Sequence, residues 1–231
     1  MDKVWLLIRS GKYEQVSPLL DMMGTLNDRQ RHPCKLVKQF IALHTATVYN
    51  ANHRNCPQYL RQLKAALTMT IPDFDELNMS VRPLAINEAA LIGRIARYYE
   101  ATNKIPRALD IFEKLFASID TYWIDTALKF TMYTSIAFNY SSCLGRAGFV
   151  DEALEVIDFA LNAEGANSDL EMMFELYYNK AYALYEQGCK EESLPLFLLS
   201  YYGSSMYENF STAEGVEIAK QTIKEFFGLE L

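Results

Sequence analysis

The segment Gly148-Phe149-Val150-Asp151-Glu152-Ala153 runs from a turn-forming residue through apolar side chains to a small residue five positions later. Three further segments share this pattern: Gly11-Lys12-Tyr13-Glu14-Gln15-Val16, Asn103-Lys104-Ile105-Pro106-Arg107-Ala108 and Gly188-Cys189-Lys190-Glu191-Glu192-Ser193. In the first of them the last position is valine. Each reads as a turn between two helices followed by the start of the second helix. Such a repeat predicts an array of helix pairs, which is typical of proteins that hold a partner.

The spacing of small residues fits the tetratricopeptide frame. When the turn residue is counted as position 15, positions 8, 20 and 27 should be small because paired helices cross closely there. The turns at Asn103, Gly148 and Gly188 place eight small residues and one leucine at these positions: Ala96, Ala108, Leu115, Ser141, Ala153, Ala160, Ala181, Ser193 and Ser200. Position 24 is large in all three repeats, as Phe112, Ile157 and Phe197. The sequence therefore predicts an all-α, tetratricopeptide-like right-handed superhelix of about five helix pairs plus a C-terminal capping helix.

We expect residues 1–231 to form a single array. Residues 1–82 hold degenerate repeats, in which Arg54 marks a turn, residues 83–210 hold three well-formed repeats, and residues 211–231 form the capping helix. The turns are 43, 49, 45 and 40 residues apart, against 34 in a minimal repeat, so some connections are long. The segment from Ile71 to Pro83 is the best candidate, because proline disfavours helix at the residue before it. Ser211 or Thr212 can cap the last helix, and Gly228 ends it.

Charge and cysteine content limit the classes of function. The net charge is -7, divided as +5 over residues 1–115 and -12 over residues 116–231. This division fits either a solvated outer face or a basic end and an acidic end that orient a charged ligand. The four cysteines lack zinc or disulfide-exchange spacing, so we expect buried thiols in a reducing compartment. No secretion signal or membrane-length apolar run occurs. The prediction is a cytoplasmic protein without metal, cofactor or membrane contact.

Motifs for catalysis are absent from the sequence. The three histidines, His32, His44 and His53, form no H-E-x-x-H motif, and no G-x-G-x-x-G or P-loop occurs. The segment Gly145-Arg146-Ala147-Gly148 mimics the GXXG loop of an RNA-binding KH domain, but that module needs strands nearby. An acidic chain with a pI of about 5.1 also lacks the usual footprint of a nucleic-acid binder. We therefore predict no enzyme and no catalytic residues.

Three short segments carry a family resemblance: Thr70-Ile71-Pro72-Asp73-Phe74, Tyr178-Asn179-Lys180-Ala181-Tyr182-Ala183-Leu184-Tyr185 and Ile223-Lys224-Glu225-Phe226-Phe227-Gly228-Leu229-Glu230. They resemble the C-terminal sensor region of bacterial XRE-type transcriptional regulators, which join a lambda-repressor-like helix-turn-helix to a tetratricopeptide array and respond to peptides. The resemblance implies a peptide or small effector as ligand, a homodimer and a role in transcription. It also implies that DNA is bound only through an N-terminal helix-turn-helix domain missing from this chain, which starts inside a predicted helix.

The candidate site lies on the first helices of the repeats, which line the concave wall of such an array. Position 6 is polar in successive repeats, as Arg94, Asn139 and Asn179. An asparagine can donate to and accept from a peptide backbone at once, and the resemblance implies that the family's peptide binders use such asparagines. Further candidates supply cations for a peptide carboxylate and apolar walls with polar tips: Arg97, Arg146, Phe138, Tyr178, Tyr182 and Tyr185.

Each candidate also has an ordinary structural interpretation. Asn139 and Asn179 could bond neighbouring helices, the tyrosines could belong to the core, and Arg94 and Arg97 could lie on an exposed face. A second function also fits the pattern, namely a protein-protein interaction adaptor with no role in transcription. The sequence leaves both choices open.

Overall fold

The structure is a computed structural model that describes residues 2–76, 78–119, 126–163, 170–206 and 213–231. Over these ranges the chain forms α-helices and no strand, in agreement with the all-α prediction. The helices form five consecutive pairs and a last single helix: α1 (Asp2–Arg9), α2 (Val16–Asp28), α3 (Lys35–Asn52), α4 (Pro57–Leu67), α5 (Ile86–Ala101), α6 (Ile105–Ile119), α7 (Thr126–Ala147), α8 (Val150–Asn162), α9 (Leu170–Glu186), α10 (Lys190–Met206) and α11 (Ala213–Phe227).

The chain divides into two compact units. The first unit, Met1–Thr121, holds α1 to α6, and the second unit, Tyr122–Leu231, holds α7 to α11. In both units, each helix packs against the next one along the chain within its pair. The single array over residues 1–231 stays a prediction.

The repeated turn phrases share one backbone geometry. Gly11, Asn103, Gly148 and Gly188 have φ angles of 68°, 60°, 84° and 85°, the left-handed region that glycine and asparagine adopt at helix ends. The N–H of the following residue returns to a first-helix carbonyl in every case, for example Phe149 to Leu144 at 3.0 Å and Cys189 to Leu184 at 2.9 Å. This bond closes the first helix and reverses the chain.

In the turn between α3 and α4, the structure differs from the prediction that Arg54 is the turn residue. The left-handed residue is Asn55, with φ 52°, and not Arg54, so it lies one position later in the repeat frame than in the other turns. Asn55 is fixed in place by its N–H, which donates to Asn50 Oδ1 at 2.8 Å. Tyr59, which the frame counted from Arg54 places at position 20, is nevertheless buried. The left-handed residue is therefore shifted by one position while the helix faces stay in register.

The frame positions of the three well-formed repeats are at the helix contacts. All nine side chains at positions 8, 20 and 27 are at most 3% exposed. Phe112, Ile157 and Phe197 at position 24 have no exposed surface, and burial of such side chains stabilises a fold by about 1.5–3 kcal/mol each. Small residues thus let the helices approach, and one large residue per repeat fills the remaining space.

A long connection joins α4 to α5, as the sequence predicted. Glu76 lies in it, largely buried, and accepts hydrogen bonds from Lys64 Nζ of α4 at 2.9 Å and from the Tyr99 hydroxyl of α5 at 2.7 Å. Arg107 of α6 donates to the same carboxylate oxygen. Burial and the bond to Glu76 raise the pKa of Tyr99 to about 12. One carboxylate therefore ties the connection to three helices.

In the second unit, α11 covers the end of the last helix pair. Ala181 of α9, Phe197 of α10 and Ile223 of α11 form the buried centre of this contact. Gly228 follows α11 with a φ of 68°, which suits a helix end. The predicted caps Ser211 and Thr212 lie outside the described residues.

The cysteines correct a second expectation. All four are free, but only Cys143 is buried, while Cys56 and Cys189 are half-buried and Cys34 is exposed. Cys34 immediately precedes α3, and its backbone is hydrogen-bonded to the side chain of Asn27. The Cys34 N–H donates to Asn27 Oδ1 at 2.9 Å, and Asn27 Nδ2 donates to the Cys34 carbonyl at 3.3 Å. The backbone is thus fixed while the thiol is exposed.

Candidate peptide-binding site

The predicted site residues divide between the two units. Arg94 and Arg97 lie on α5 of the first unit. The other seven lie on α7 and α9 of the second unit: Phe138, Asn139, Arg146, Tyr178, Asn179, Tyr182 and Tyr185. The first helices of the pairs carry all nine, as the repeat frame requires.

Asn179 points from α9 towards the preceding first helix, α7. Its Nδ2 donates to the Phe138 carbonyl at 2.9 Å and to Ser141 Oγ at 3.0 Å. No described residue donates to Asn179 Oδ1. The helix-bonding interpretation therefore accounts for the amide nitrogen, and the oxygen remains able to accept an N–H from a ligand. Ser141, which the sequence predicted only as a small packing residue, is a partner that orients this amide.

Asn139 follows Phe138 on α7, and the Phe138 carbonyl is the group that accepts the hydrogen bond from Asn179. Its Nδ2 donates to the Ser135 carbonyl one turn earlier on α7 at 2.6 Å. The side chains of Phe138, Asn139 and Asn179 are all half-buried. The bond between Asn179 and the Phe138 carbonyl thus brings the two asparagines to the same crossing of α7 and α9.

The three candidate tyrosines of α9, Tyr178, Tyr182 and Tyr185, face α11. The Tyr178 hydroxyl bonds Thr222 Oγ1 at 2.9 Å, and the Tyr185 ring stacks on Phe226 with centroids 3.9 Å apart. The Tyr182 ring lies 5.7 Å from Phe226, and 42% of this residue is exposed.

The contact between the α9 tyrosines and α11 follows from the position of α11. This helix packs against α10 as the first helix of a further pair would. Burial raises the pKa of Tyr178. Thr222 and Phe226 were missed by the sequence analysis, although their helical spacing with Ala219 and Ile223 marks them as the buried face of α11.

The arginines have different environments. Arg94 is half-buried and makes no hydrogen bond or ion pair with any described residue, and its charge lies near the buried ring of His44. Burial, and then the Arg94 charge, lower the pKa of His44 to about 3. Arg97 Nε lies 3.5 Å from Glu100 Oε2 on the same helix. Arg146 is exposed near the end of α7.

Metal sites and membrane-spanning helices are both absent from the described ranges. No group of three or more His, Cys, Asp or Glu side chains is placed to hold a metal ion there. None of the helices in this part of the chain combines the length and the apolar character needed to cross a bilayer.

Comparisons with known proteins identify the fold. Neither a protein-family model nor a curated protein matches the chain. Among solved structures, PlcR of Bacillus thuringiensis in its apo form has a TM-score of 0.69 at 13% identity, over 97% of this chain and 75% of PlcR. A kinesin light chain of Podosopora anserina with nearly identical TPR-like repeats has a TM-score of 0.53 at 15% identity, over 90% of this chain and 94% of that one. At these identities the likeness concerns the fold alone, and it confirms the tetratricopeptide-like prediction.

Proposed function

We propose that this chain is the ligand-sensing and dimerisation region of a transcriptional regulator and binds a peptide or small effector. In this proposal the ligand lies along α7 and α9 of the second unit, and DNA is bound by a helix-turn-helix domain outside this sequence. The fold shared with PlcR and the three segments that resemble peptide-responsive regulators support this function. The role is binding and requires no catalytic step.

The observation that supports this function best is that the Asn179 side chain is held by its nitrogen while no described residue donates to its oxygen. Two hydrogen bonds from Nδ2 to α7 hold its side chain in one orientation. A preorganised acceptor loses little entropy when a ligand binds, and Oδ1 is such an acceptor. Because it would bind a backbone N–H, it would hold an extended peptide of almost any sequence. The exposed part of Tyr182 would contact the side chains of that peptide.

Regulation follows if the ligand prefers one arrangement of helices over another, because a ligand shifts an equilibrium only by its differential affinity. Asn179 bridges two first helices, so a ligand that bonds to it would favour one spacing of α7 and α9. A homodimer suits this function, since paired recognition helices read two half-sites of an operator. Arg146 on α7 is the proposed contact for the carboxylate of this ligand. Arg94 and Arg97 lie on α5 of the first unit and stay predictions.

The test is peptide binding by the chain and its variants. A pool of short synthetic peptides with free carboxyl termini is screened by calorimetry, and the best binder is retested against the Asn139→Ala/Asn179→Ala double variant. We expect an affinity loss of about tenfold or more, the effect of one lost hydrogen bond to a buried partner.

The matched control is Ser141→Ala, which removes one bond that orients Asn179 but leaves both asparagines in place. It should lose much less affinity than the double variant. Equal losses in both variants would assign the asparagines a structural role only, and unchanged affinity in a folded double variant would reject the site. The adaptor alternative is tested by the gene, because it requires that no in-frame helix-turn-helix lies upstream.

A further inference from the structure

The first unit contains an open cavity of about 430 Å³ between α2, α3 and α4. Its lining is mainly apolar, with Ile41, Ala42 and Ala46 from α3, Ala65 and Ala66 from α4, and Met69 from the turn that follows α4. This volume falls in the range of small-molecule sites, which are concave, mostly apolar and carry a few polar groups. The proposed peptide site lies on the second unit and does not use these residues.

Small side chains on all three helices keep the cavity open. Gly24 of α2 lines it, and a Cβ placed on this glycine would lie 3.8 Å from Ile41 Cδ1, an ordinary contact distance. One methyl group therefore fits at this position without displacing a neighbour. A large side chain there would instead have to extend over the cavity. Gly24 thus offers a position at which occupancy of the cavity can be controlled.

The lining of the cavity carries one lysine and one aspartate, and a second lysine lies one turn away on α3. Residues 29–72, which include α3 and α4, hold seven lysines and arginines and no aspartate or glutamate. Asp28 is the acidic residue that lines the cavity, and its carboxylate lies 3.2 Å from Lys38 Nζ. Lys35 lies one turn before Lys38 on α3, is exposed and pairs with no described carboxylate. The lysines outnumber the carboxylate at this end of the groove.

From these features we infer that the cavity binds a small amphipathic anion, an apolar chain or ring that ends in a carboxylate. The apolar part lies on the alanine-rich floor, where each buried methylene adds to the affinity. The carboxylate reaches Lys38 and Lys35 at the rim, where it replaces or joins Asp28 as the partner of Lys38. A neutral ligand would gain only the burial of its apolar part. A polyanion without an apolar part would gain only the contact with the lysines.

The experiment uses decanoate as the probe and calorimetry on the full chain. Gly24→Phe fills the cavity and should weaken decanoate binding at least about tenfold. Gly24→Ala, the matched control, adds one methyl group where it fits, so its affinity should stay within about twofold of the unchanged chain. Should Gly24→Phe fail to fold by circular dichroism, Ala65→Phe fills the same groove from an exposed position on α4.

The charge contribution is measured with 1-decanol, which keeps the chain and lacks the carboxylate. Decanoate should bind about fivefold more tightly than decanol, and the Lys35→Met/Lys38→Met double variant should remove that preference. Equal binding of the two probes by the unchanged chain would overturn the assignment of an anion. Decanoate binding that both phenylalanine variants leave unchanged would overturn the assignment of the cavity. Neither result bears on peptide binding by the second unit.

Discussion

The two units differ in how well their buried polar groups are paired. In the second unit Ser141 accepts a hydrogen bond from Asn179, and Ser193 donates to the Lys190 carbonyl. In the first unit several buried side-chain atoms have no hydrogen-bond partner: Gln39 Oε1, His44 Nδ1 and Nε2, Gln62 Oε1, Glu76 Oε2 and Arg107 Nε. The described residues of the second unit include no such atom.

This difference follows the quality of the repeats. The second unit holds two repeats that fit the frame, with small residues where helices cross. Four of the five unpaired side chains lie in or beside the degenerate repeats of residues 1–82, where polar groups occupy helix contacts. An unpaired buried polar group costs about 1–3 kcal/mol, so the first unit should be less stable and more sensitive to pH. Three predictions test this comparison.

The largest expected effect comes from Phe112 and Phe197, which hold the same frame position in the two units and have no exposed surface. Phe112→Ala and Phe197→Ala should each lower the free energy of unfolding by about 4 kcal/mol, the usual cost of a large buried cavity. Urea unfolding measures the loss, and native-state hydrogen exchange locates it. Phe112→Ala should mainly expose amides of α5 and α6, and Phe197→Ala those of α9 and α10. Equal loss of protection throughout the chain after either change would contradict the comparison.

The next effect concerns the carboxylate that holds the long connection of the first unit. Glu76→Gln keeps the shape of the side chain but leaves Lys64, Tyr99 and Arg107 facing a neutral amide. Removing one partner of a buried ion pair costs about 3 kcal/mol, and thermal unfolding monitored by circular dichroism should show this loss. Glu113→Gln, an exposed change on α6, is the control and should have an effect of less than about 0.5 kcal/mol. Similar effects of both changes would mean that Glu76 adds no more than a surface charge.

The sequence predicted the parts of this fold that depend on local geometry. Turn residues and small positions follow from steric limits on neighbouring atoms, so Gly148 and Ala153 could be placed without coordinates. The network of Glu76 could not be predicted, because its partners come from α4, α5 and α6 and pair only after the helices pack. For the candidate site, the frame placed Asn179 and Tyr185 on a first helix. It could not show that Ser141 orients Asn179 or that α11 covers Tyr185, since both contacts join distant parts of the chain.

The smallest expected effect is a pH dependence that originates in the first unit. His44 is fully buried between the rings of Trp5 and Phe40, with centroids 4.7 and 4.3 Å away. Its pKa is about 3 in the folded chain, against 6.5 for the exposed side chain. Between these values the unfolded chain binds a proton that the folded chain does not bind, so stability falls as the pH falls below about 6.5. At pH 5 the loss is about 2 kcal/mol relative to pH 8, at 1.36 kcal/mol for each pH unit.

The test compares urea unfolding of His44→Phe with that of the unchanged chain at pH 8 and pH 5. Phenylalanine keeps a ring between Trp5 and Phe40 and cannot be protonated, so the variant should lose about 2 kcal/mol less on acidification. His53→Phe is the matched control, because His53 is exposed on α3's C-terminal side and should leave the pH dependence unchanged. A pH dependence that His44→Phe preserves would assign the acid sensitivity to groups other than His44. The contrast between the units would then rest on their ion pairs and not on unpaired buried groups.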